Sequence, residues 1–279
     1  MNLNLTGATR LHIILGDPIA QVKSPGGVTQ AFIDRAHDGV LVPVQIGVEE
    51  LDALLAVLDR VKNLDGIIVT VPHKFACFKH CRSASGRANF LGAVNIMRRR
   101  RDGSWHGDMV DGLGFVGAVR DKGYDPDGKR ALLAGAGGAG SAIAMALVEA
   151  GVCELAVHDG DAGRRDHLVK RLKNLGKADI LVGSADPDGF DLVANATPAG
   201  MKPDDPLPID VAKLKPTTFV GCVITVPAVS PLIEAARRLG CPTSTGTEMY
   251  NALQDAMVDF LLDPGVGAYS VFRPYGITR

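Results

Sequence analysis

Aromatic residues are scarce in this chain, at 5% of 279 residues with a single tryptophan. Neither charge is in excess. Lys+Arg number 30 and Asp+Glu 31, a formal net charge of -1 at pH 7, so the electrostatic footprint of a nucleic-acid-binding protein is missing. The opening stretch MNLNLTGATRLHIILGD has no charged leader followed by a long apolar run, and no signal peptide is expected. The five cysteines are Cys77, Cys81, Cys153, Cys222 and Cys241. An odd count in a long chain with no export signal argues against a disulfide framework and for a reducing cytoplasm. There is no P-loop, no Gly-x-Ser-x-Gly nucleophile elbow, no internal repeat and no low-complexity linker. One uncharged run, Ala131 to Val148, has the length of a membrane span. Its four glycines, its serine and its strand-and-turn front half mark it as buried core, and no membrane partner is expected.

The chain is 46% hydrophobic and 22% charged, as in ordinary globular proteins. At about 100–200 residues per domain, its length fits one large or two medium domains. Strand-like and helix-like patterns alternate almost throughout, which predicts an α/β architecture with mainly parallel sheets. Leu11 to Leu15 reads as a first strand, and a helix is expected from Ser24-Pro25, where serine caps and proline suits the first turn. Leu41 to Ile46 reads as a strand; Leu51, Leu54, Leu55 and Leu58 then share one helical face. Ile67 to Val71 is a buried strand that stops at Pro72. Val94 to Arg98 and Ser104 to His106 form a hairpin around Asp102-Gly103, with a helix over about 112–120. The alternation restarts at Arg130, with further strands at Leu155–His158, Ile180–Val182, Leu192–Ala194 and Phe219–Ile224, and a helix over Thr247–Leu262.

Gly135-Ala-Gly137-Gly138-Ala139-Gly140 matches G-x-G-x-x-G between a strand and a helix, the context a dinucleotide fingerprint requires. Without side chains the backbone can approach a pyrophosphate, and the helix N-terminus offers N–H donors. The bland alternative is a glycine turn that only permits tight packing. Asp159 ends the next strand, nineteen positions after Gly140. A carboxylate there accepts hydrogen bonds from ribose hydroxyls and repels a 2′-phosphate, so NAD is preferred over NADP; Arg164 and Arg165 lie near enough to oppose that preference.

Several blocks together resemble the shikimate/quinate dehydrogenase family: Gly16-Asp-Pro-Ile-Ala-Gln-Val-Lys-Ser24-Pro25, Val69-Thr-Val-Pro-His-Lys74, Gly92-Ala-Val-Asn95, Gly107-Asp-Met-Val-Asp111-Gly112, the glycine turn, and Asn195-Ala-Thr-Pro-Ala-Gly-Met201. They follow the family's order and spacing. The resemblance implies an N-terminal α/β substrate domain (1–111, joined by 245–279) and a Rossmann-type, doubly wound nucleotide domain (112–244). It implies a small-molecule partner, a cyclic polyhydroxy acid, in a monomer or homodimer. Lys74 and Asp111 would be the catalytic pair, Ser24, Thr70, Asn95 and Gln254 would bind substrate, and Asn195 and Thr197 would join the glycines and Asp159 at the cofactor. Chemistry gives its own reason to want the pair: as an alcohol gives up a hydride, its hydroxyl proton must also leave. A lysine serves as base only if its pKa falls well below about 10.4; otherwise it stays charged and stabilises oxyanion character while the aspartate orients the hydroxyl. Both roles are open. Taken singly, Lys74 reads as a surface lysine after a strand and Asp111 as a helix cap.

The chain also departs from the family. Val22 replaces a serine that would bind the substrate carboxylate, Ile68 an asparagine, Met109-Val110 an Asn-Thr pair, and Thr225-Val226-Pro227 a Tyr-Asn-Pro triplet; Gln254 is displaced by one residue. A site deprived of hydrogen-bond partners loses its grip on the substrate it was built for. An altered pocket is therefore expected, with weak shikimate turnover or a less polar substrate. An aminoshikimate-type dehydrogenase and a nucleotide-sensing regulator are the alternatives. His73, Cys77, His80 and Cys81 share a helical face but read as packed helix residues, with no metal expected. The arginine run 98–101 reads as a solvated hairpin, and Trp105 as core.

Overall fold

The computed structural model describes residues 5–202 and 204–263. Among these residues the chain forms two compact units. One is drawn from Met1–Ile19, Val28–Met109 and Met257–Arg279, the other from Ala20–Gly27 and Val110–Ala256. Residues 264–279, which the resemblance assigns to the substrate domain, lie outside the described residues.

The first unit is built on a six-stranded mixed sheet. Its elements are β1 (Arg10–Gly16), α1 (Ser24–Asp34, begun in the other unit), β2 (Gly39–Gln45), α2 (Leu51–Leu58), β3 (Leu64–Val69), α3 (Lys74–His80), β4 (Ser83–Ala84), α4 (Gly86–Leu91), β5 (Ile96–Arg99) and β6 (Trp105–Asp108). The strand order is β2-β1-β3-β5-β6-β4. β1 lies between β2 and β3, parallel to both, and β5 and β6 form the antiparallel hairpin. Strands covered on both faces read as continuous apolar runs, and Ile13, Ile14, Leu15, Ile67, Ile68 and Val69 are buried accordingly. The hairpin turns where Asp102 accepts hydrogen bonds from Ser104 and Gly103 takes φ +82°, a conformation suited to glycine.

The second unit holds α5 (Asp111–Asp121), β7 (Arg130–Ala134), α6 (Gly138–Glu149), β8 (Glu154–His158), α7 (Ala162–Lys173), β9 (Asp179–Val182), β10 (Leu192–Asn195), β11 (Phe219–Cys222), α8 (Pro231–Arg238), β12 (Thr243–Ser244) and α9 (Gly246–Leu262), whose end passes into the first unit. Its six strands, in the order β12-β11-β10-β7-β8-β9, are all parallel. Counted from β7 this is the order 6-5-4-1-2-3, the doubly wound Rossmann arrangement. The order reverses between β7 and β10, and at such a switch point the loops leaving the two strands part to open a crevice. α6 is buried from Gly140 to Val148, which is why the uncharged run resembles a span. No helix among the described residues is long and apolar enough to cross a membrane.

Candidate active site

The two loops at the switch point carry the residues the sequence marked. β7 runs into Gly135, whose φ is +102°. A Cβ there would lie 2.8 Å from the Ala196 carbonyl carbon and 2.9 Å from the Thr197 nitrogen, so only glycine lets the two loops approach this closely. A Cβ on Gly140 would overlap the Gly135 carbonyl oxygen, whereas one on Gly137 would meet nothing within 4 Å. The turn is thus closed on its packing side and open above Gly137, where α6 begins with its first N–H groups unpaired within the helix. That open, positive helix end fits a dinucleotide pyrophosphate.

Asp159 reaches across from the end of β8. Its Oδ2 accepts a hydrogen bond from the Ala136 N–H at 2.6 Å, and its Oδ1 accepts from the Asp161 N–H at 2.8 Å and from Arg164 at 2.9 Å. Burial pushes the Asp159 pKa up, but these donors outweigh it and hold the carboxyl below its usual value. Asn195 is wholly buried; its Oδ1 accepts from both the Thr197 N–H and hydroxyl (2.9 and 2.7 Å), so it shapes the loop that presents Thr197.

Asp111 is the first residue of α5, one place inside the helix rather than at its cap, which is Val110. A carboxylate suits this end of the helix dipole. The neighbouring Gly112 lets α5 lie directly on α6: a Cβ there would drive into the Ala142 carbonyl oxygen. The same unit therefore fixes Asp111 and the glycine-turn helix against each other.

In the first unit, Thr70, Lys74 and Asn95 gather at one end of the sheet. The Thr70 N–H donates to the Leu15 carbonyl (2.8 Å), the Val69 N–H to the Asn95 carbonyl (2.7 Å) and the Val94 N–H to the Lys74 carbonyl (3.0 Å). Lys74 opens α3 and is only 7% exposed, and Asn95 is 2% exposed; a buried lysine is rare enough to ask for a role. The other pair, Ser24 and Gln254, belongs to the second unit. Ser24 starts α1 and is buried. Gln254 packs on α1 at Gly27, where a Cβ would come within 2.5 Å of its Oε1 and closer still to the Tyr250 hydroxyl. Tyr250 is a residue the sequence reading missed. Its signal was its place one helical turn before Gln254, on the same face.

Of the arginine run, Arg101 is exposed as expected, whereas Arg98 and Arg99 are not solvated. Arg98 is 6% exposed and pairs with Asp263 at 2.9 Å. Arg99 lies over the Trp105 ring and donates to the Leu58 and Leu64 carbonyls at 2.8 Å. A guanidinium has five donors and a flat apolar face, so it can be buried where carbonyls and rings converge. Trp105 is buried, with its indole N–H donating to Asp59. His73 contacts the Ile46 carbonyl and His80 contacts Asp59, while burial pushes the Cys77 and Cys81 thiols up to about 12. A doubly wound parallel sheet with a glycine turn at its switch point defines the class: a dinucleotide-binding α/β protein.

Comparison with known proteins narrows this. Residues 14–97 match the family model described as the shikimate dehydrogenase substrate binding domain. The chain is 36% identical to the shikimate dehydrogenase (NADP(+)) of Rubrobacter xylanophilus over 271 residues, 95% of each protein. Shikimate 5-dehydrogenase from Listeria monocytogenes, solved in complex with shikimate and NAD, superposes with a TM-score of 0.82 at 26% identity, over 94% of each chain. The ligand-free 5-ketofructose reductase of Gluconobacter sp. strain CHM43 gives a TM-score of 0.79 at 25% identity, over 91% of this chain and 93% of its own. The chain belongs to the shikimate/quinate dehydrogenase family. As a member it is an NAD(P)-dependent oxidoreductase acting on a CH–OH group.

Proposed function

We propose that the protein reversibly oxidises a secondary alcohol of a hydroxylated, shikimate- or quinate-like small molecule, with Lys74 and Asp111 as its catalytic residues. The observation that carries this reading is Lys74: a lysine side chain kept 7% exposed beside Thr70 and Asn95, at the head of a helix. In this reading Lys74 and Asp111 both bond the reacting hydroxyl; as hydride leaves its carbon, the hydroxyl proton passes to this pair. Ser24, Thr70, Asn95 and Gln254 bind the remaining polar groups. Bound nicotinamide supplies the hydride acceptor; Gly135, Gly137, Gly138, Ala139 and Gly140 hold the pyrophosphate, Asp159 the ribose, and Thr197, set by Asn195, the neighbouring backbone. The substrate domain is 1–111 with 245–279, the nucleotide domain 112–244, and the protein works in the cytoplasm.

NAD is the favoured cofactor, because Asp159 is held ionised where a 2′-phosphate would sit and its pairing with Arg164 occupies the nearest cation. The Rubrobacter relative is named for NADP(+), so the preference is a property of these residues and not of the family. The substrate pocket is altered: Val22 offers no hydroxyl, and Ile68 and Met109 offer no side-chain amide. Steady-state kinetics of shikimate, quinate and uncharged polyols with NAD and NADP tests this. Shikimate turnover of ordinary efficiency would refute the altered pocket, and inactivity toward every alcohol would refute the whole reading.

A further inference from the structure

The segment around Ser24 is held by contacts inside the second unit. On one side, the Thr225 hydroxyl donates to the Gln21 carbonyl at 3.2 Å, three residues before Ser24. On the other, Tyr250 and Gln254, one turn apart on α9, press on Gly27, three residues after it. Residues three apart share a helical face, so Ser24 sits on the α1 face that α9 covers. Gly27 has an ordinary backbone; what demands glycine is space, since a Cβ would collide with both side chains. The Tyr250 hydroxyl is buried and unpartnered among the described residues. That oxygen is the Tyr250 atom that lies against Gly27; a buried hydroxyl without a partner costs stability, so packing on the bare glycine, and not a hydrogen bond, is what this contact uses.

We propose that Tyr250 is a positioning residue: its side chain, with the hydroxyl end seated on Gly27, fixes the first turn of α1 and thereby the direction in which Ser24 presents its hydroxyl to substrate. The proposal rests on the reading that Ser24 binds substrate. It predicts that substrate recognition is sensitive to the Tyr250–Gly27 contact although neither residue touches substrate. A small misplacement of a binding group weakens recognition severely.

The test compares Tyr250→Phe, Tyr250→Ala, Gly27→Ala and Ser24→Ala with the parent enzyme, using the best substrate of the panel above and both kinetic constants. Tyr250→Ala and Gly27→Ala are expected to raise the substrate KM about tenfold, leaving the cofactor KM and most of kcat in place. Tyr250→Phe, which keeps the ring but removes the unpartnered oxygen that packs on Gly27, is expected to raise the substrate KM less than Tyr250→Ala does and to melt at the same or a higher temperature. Because Tyr250 and the glycine turn share one compact unit, mere loosening of that unit would raise the cofactor KM as well, and that result would overturn the proposal. So would an unchanged substrate KM in Tyr250→Ala and Gly27→Ala, or a rise in Tyr250→Phe as large as in Tyr250→Ala, which would put the oxygen on the substrate. Ser24→Ala separates the two levels of the argument. If it leaves KM unchanged, the reading of Ser24 as a substrate residue falls, and this proposal with it. If it raises KM while Tyr250→Ala does not, the positioning role alone falls.

Discussion

The all-parallel sheet of the second unit and the mixed sheet of the first carry different kinds of site. In the parallel sheet the useful groups are backbone: the glycine turn closes on Ala196 and Thr197, and Asp159 is fixed by main-chain N–H groups. In the mixed sheet they are side chains, Thr70, Lys74 and Asn95, on segments joined by a few main-chain bonds. A backbone site tolerates change in every side chain that does not fill the turn. A side-chain site can be retuned by one substitution. The departures from the family spare the glycine turn and fall on side-chain positions of both units, Ile68 and Met109 in the first and Val22, Val110 and Thr225-Val226 in the second.

The largest test of the contrast is Lys74→Ala. It should lower turnover by at least about 10²-fold, the usual weight of a proton-transfer group, while NADH still binds, as a fluorescence titration would read. Lost NADH binding would mean that the two kinds of site are not separable.

A second test probes stability in the mixed-sheet unit. His12 lies within β1, fully buried, with Phe32 at 4.5 Å and His37 at 5.5 Å between ring centroids and no hydrogen-bond partner for either ring nitrogen among the described residues. Burial first, and the nearby His37 second, lower its pKa from 6.5 to about 4. The unfolded chain therefore takes up a proton below about pH 6.5 that the folded chain refuses until about pH 4. Stability should fall across that window, by about 3 kcal/mol in all, and level off below it. Melting curves from pH 7 to 4 would show the loss, and His12→Phe should flatten it. A parent enzyme equally stable across that range would contradict this.

The third test presses on the backbone site. Gly140→Ala forces a Cβ into the Gly135 carbonyl and should cost about 1–3 kcal/mol in stability together with cofactor affinity; Gly137→Ala, with open space around it, should fold normally. Equal melting temperatures would show that the turn relaxes more freely than its contacts imply. The smallest effect is expected from Asp159→Ser, which frees Arg164 and should shift the NAD-to-NADP ratio of kcat/KM about tenfold toward NADP.

The parallel alternation, the glycine turn and the β5–β6 hairpin were legible because each is written locally: periodicity, glycine spacing and Asp-Gly each constrain a few consecutive residues. α2 was readable from four leucines on one face. α7 was not singled out, since its polar composition leaves only Leu168, Val169 and Leu172 buried, too few for a clear stripe. The arginine run was misread because net charge describes the whole chain, whereas the fate of Arg98 and Arg99 depends on Asp263, Trp105 and carbonyls 35 to 165 positions away. Gln254 was visible through family resemblance, but Tyr250 acquires meaning only when α9 lies on Gly27. The grouping of Ala20–Gly27 with Val110–Ala256 likewise has no trace in the composition.

The outermost strands carry one more consequence. β4 and β12 are two residues long and β2 carries Pro43, all devices that keep a sheet margin from recruiting another chain. β9 is guarded only by Asp179 at its start, and Leu181 and Val182 stand 45% and 54% exposed on it. Concentrated or partly denatured samples should begin to self-associate along that rim, and a lysine at position 181 should be the most economical way to keep the protein in solution.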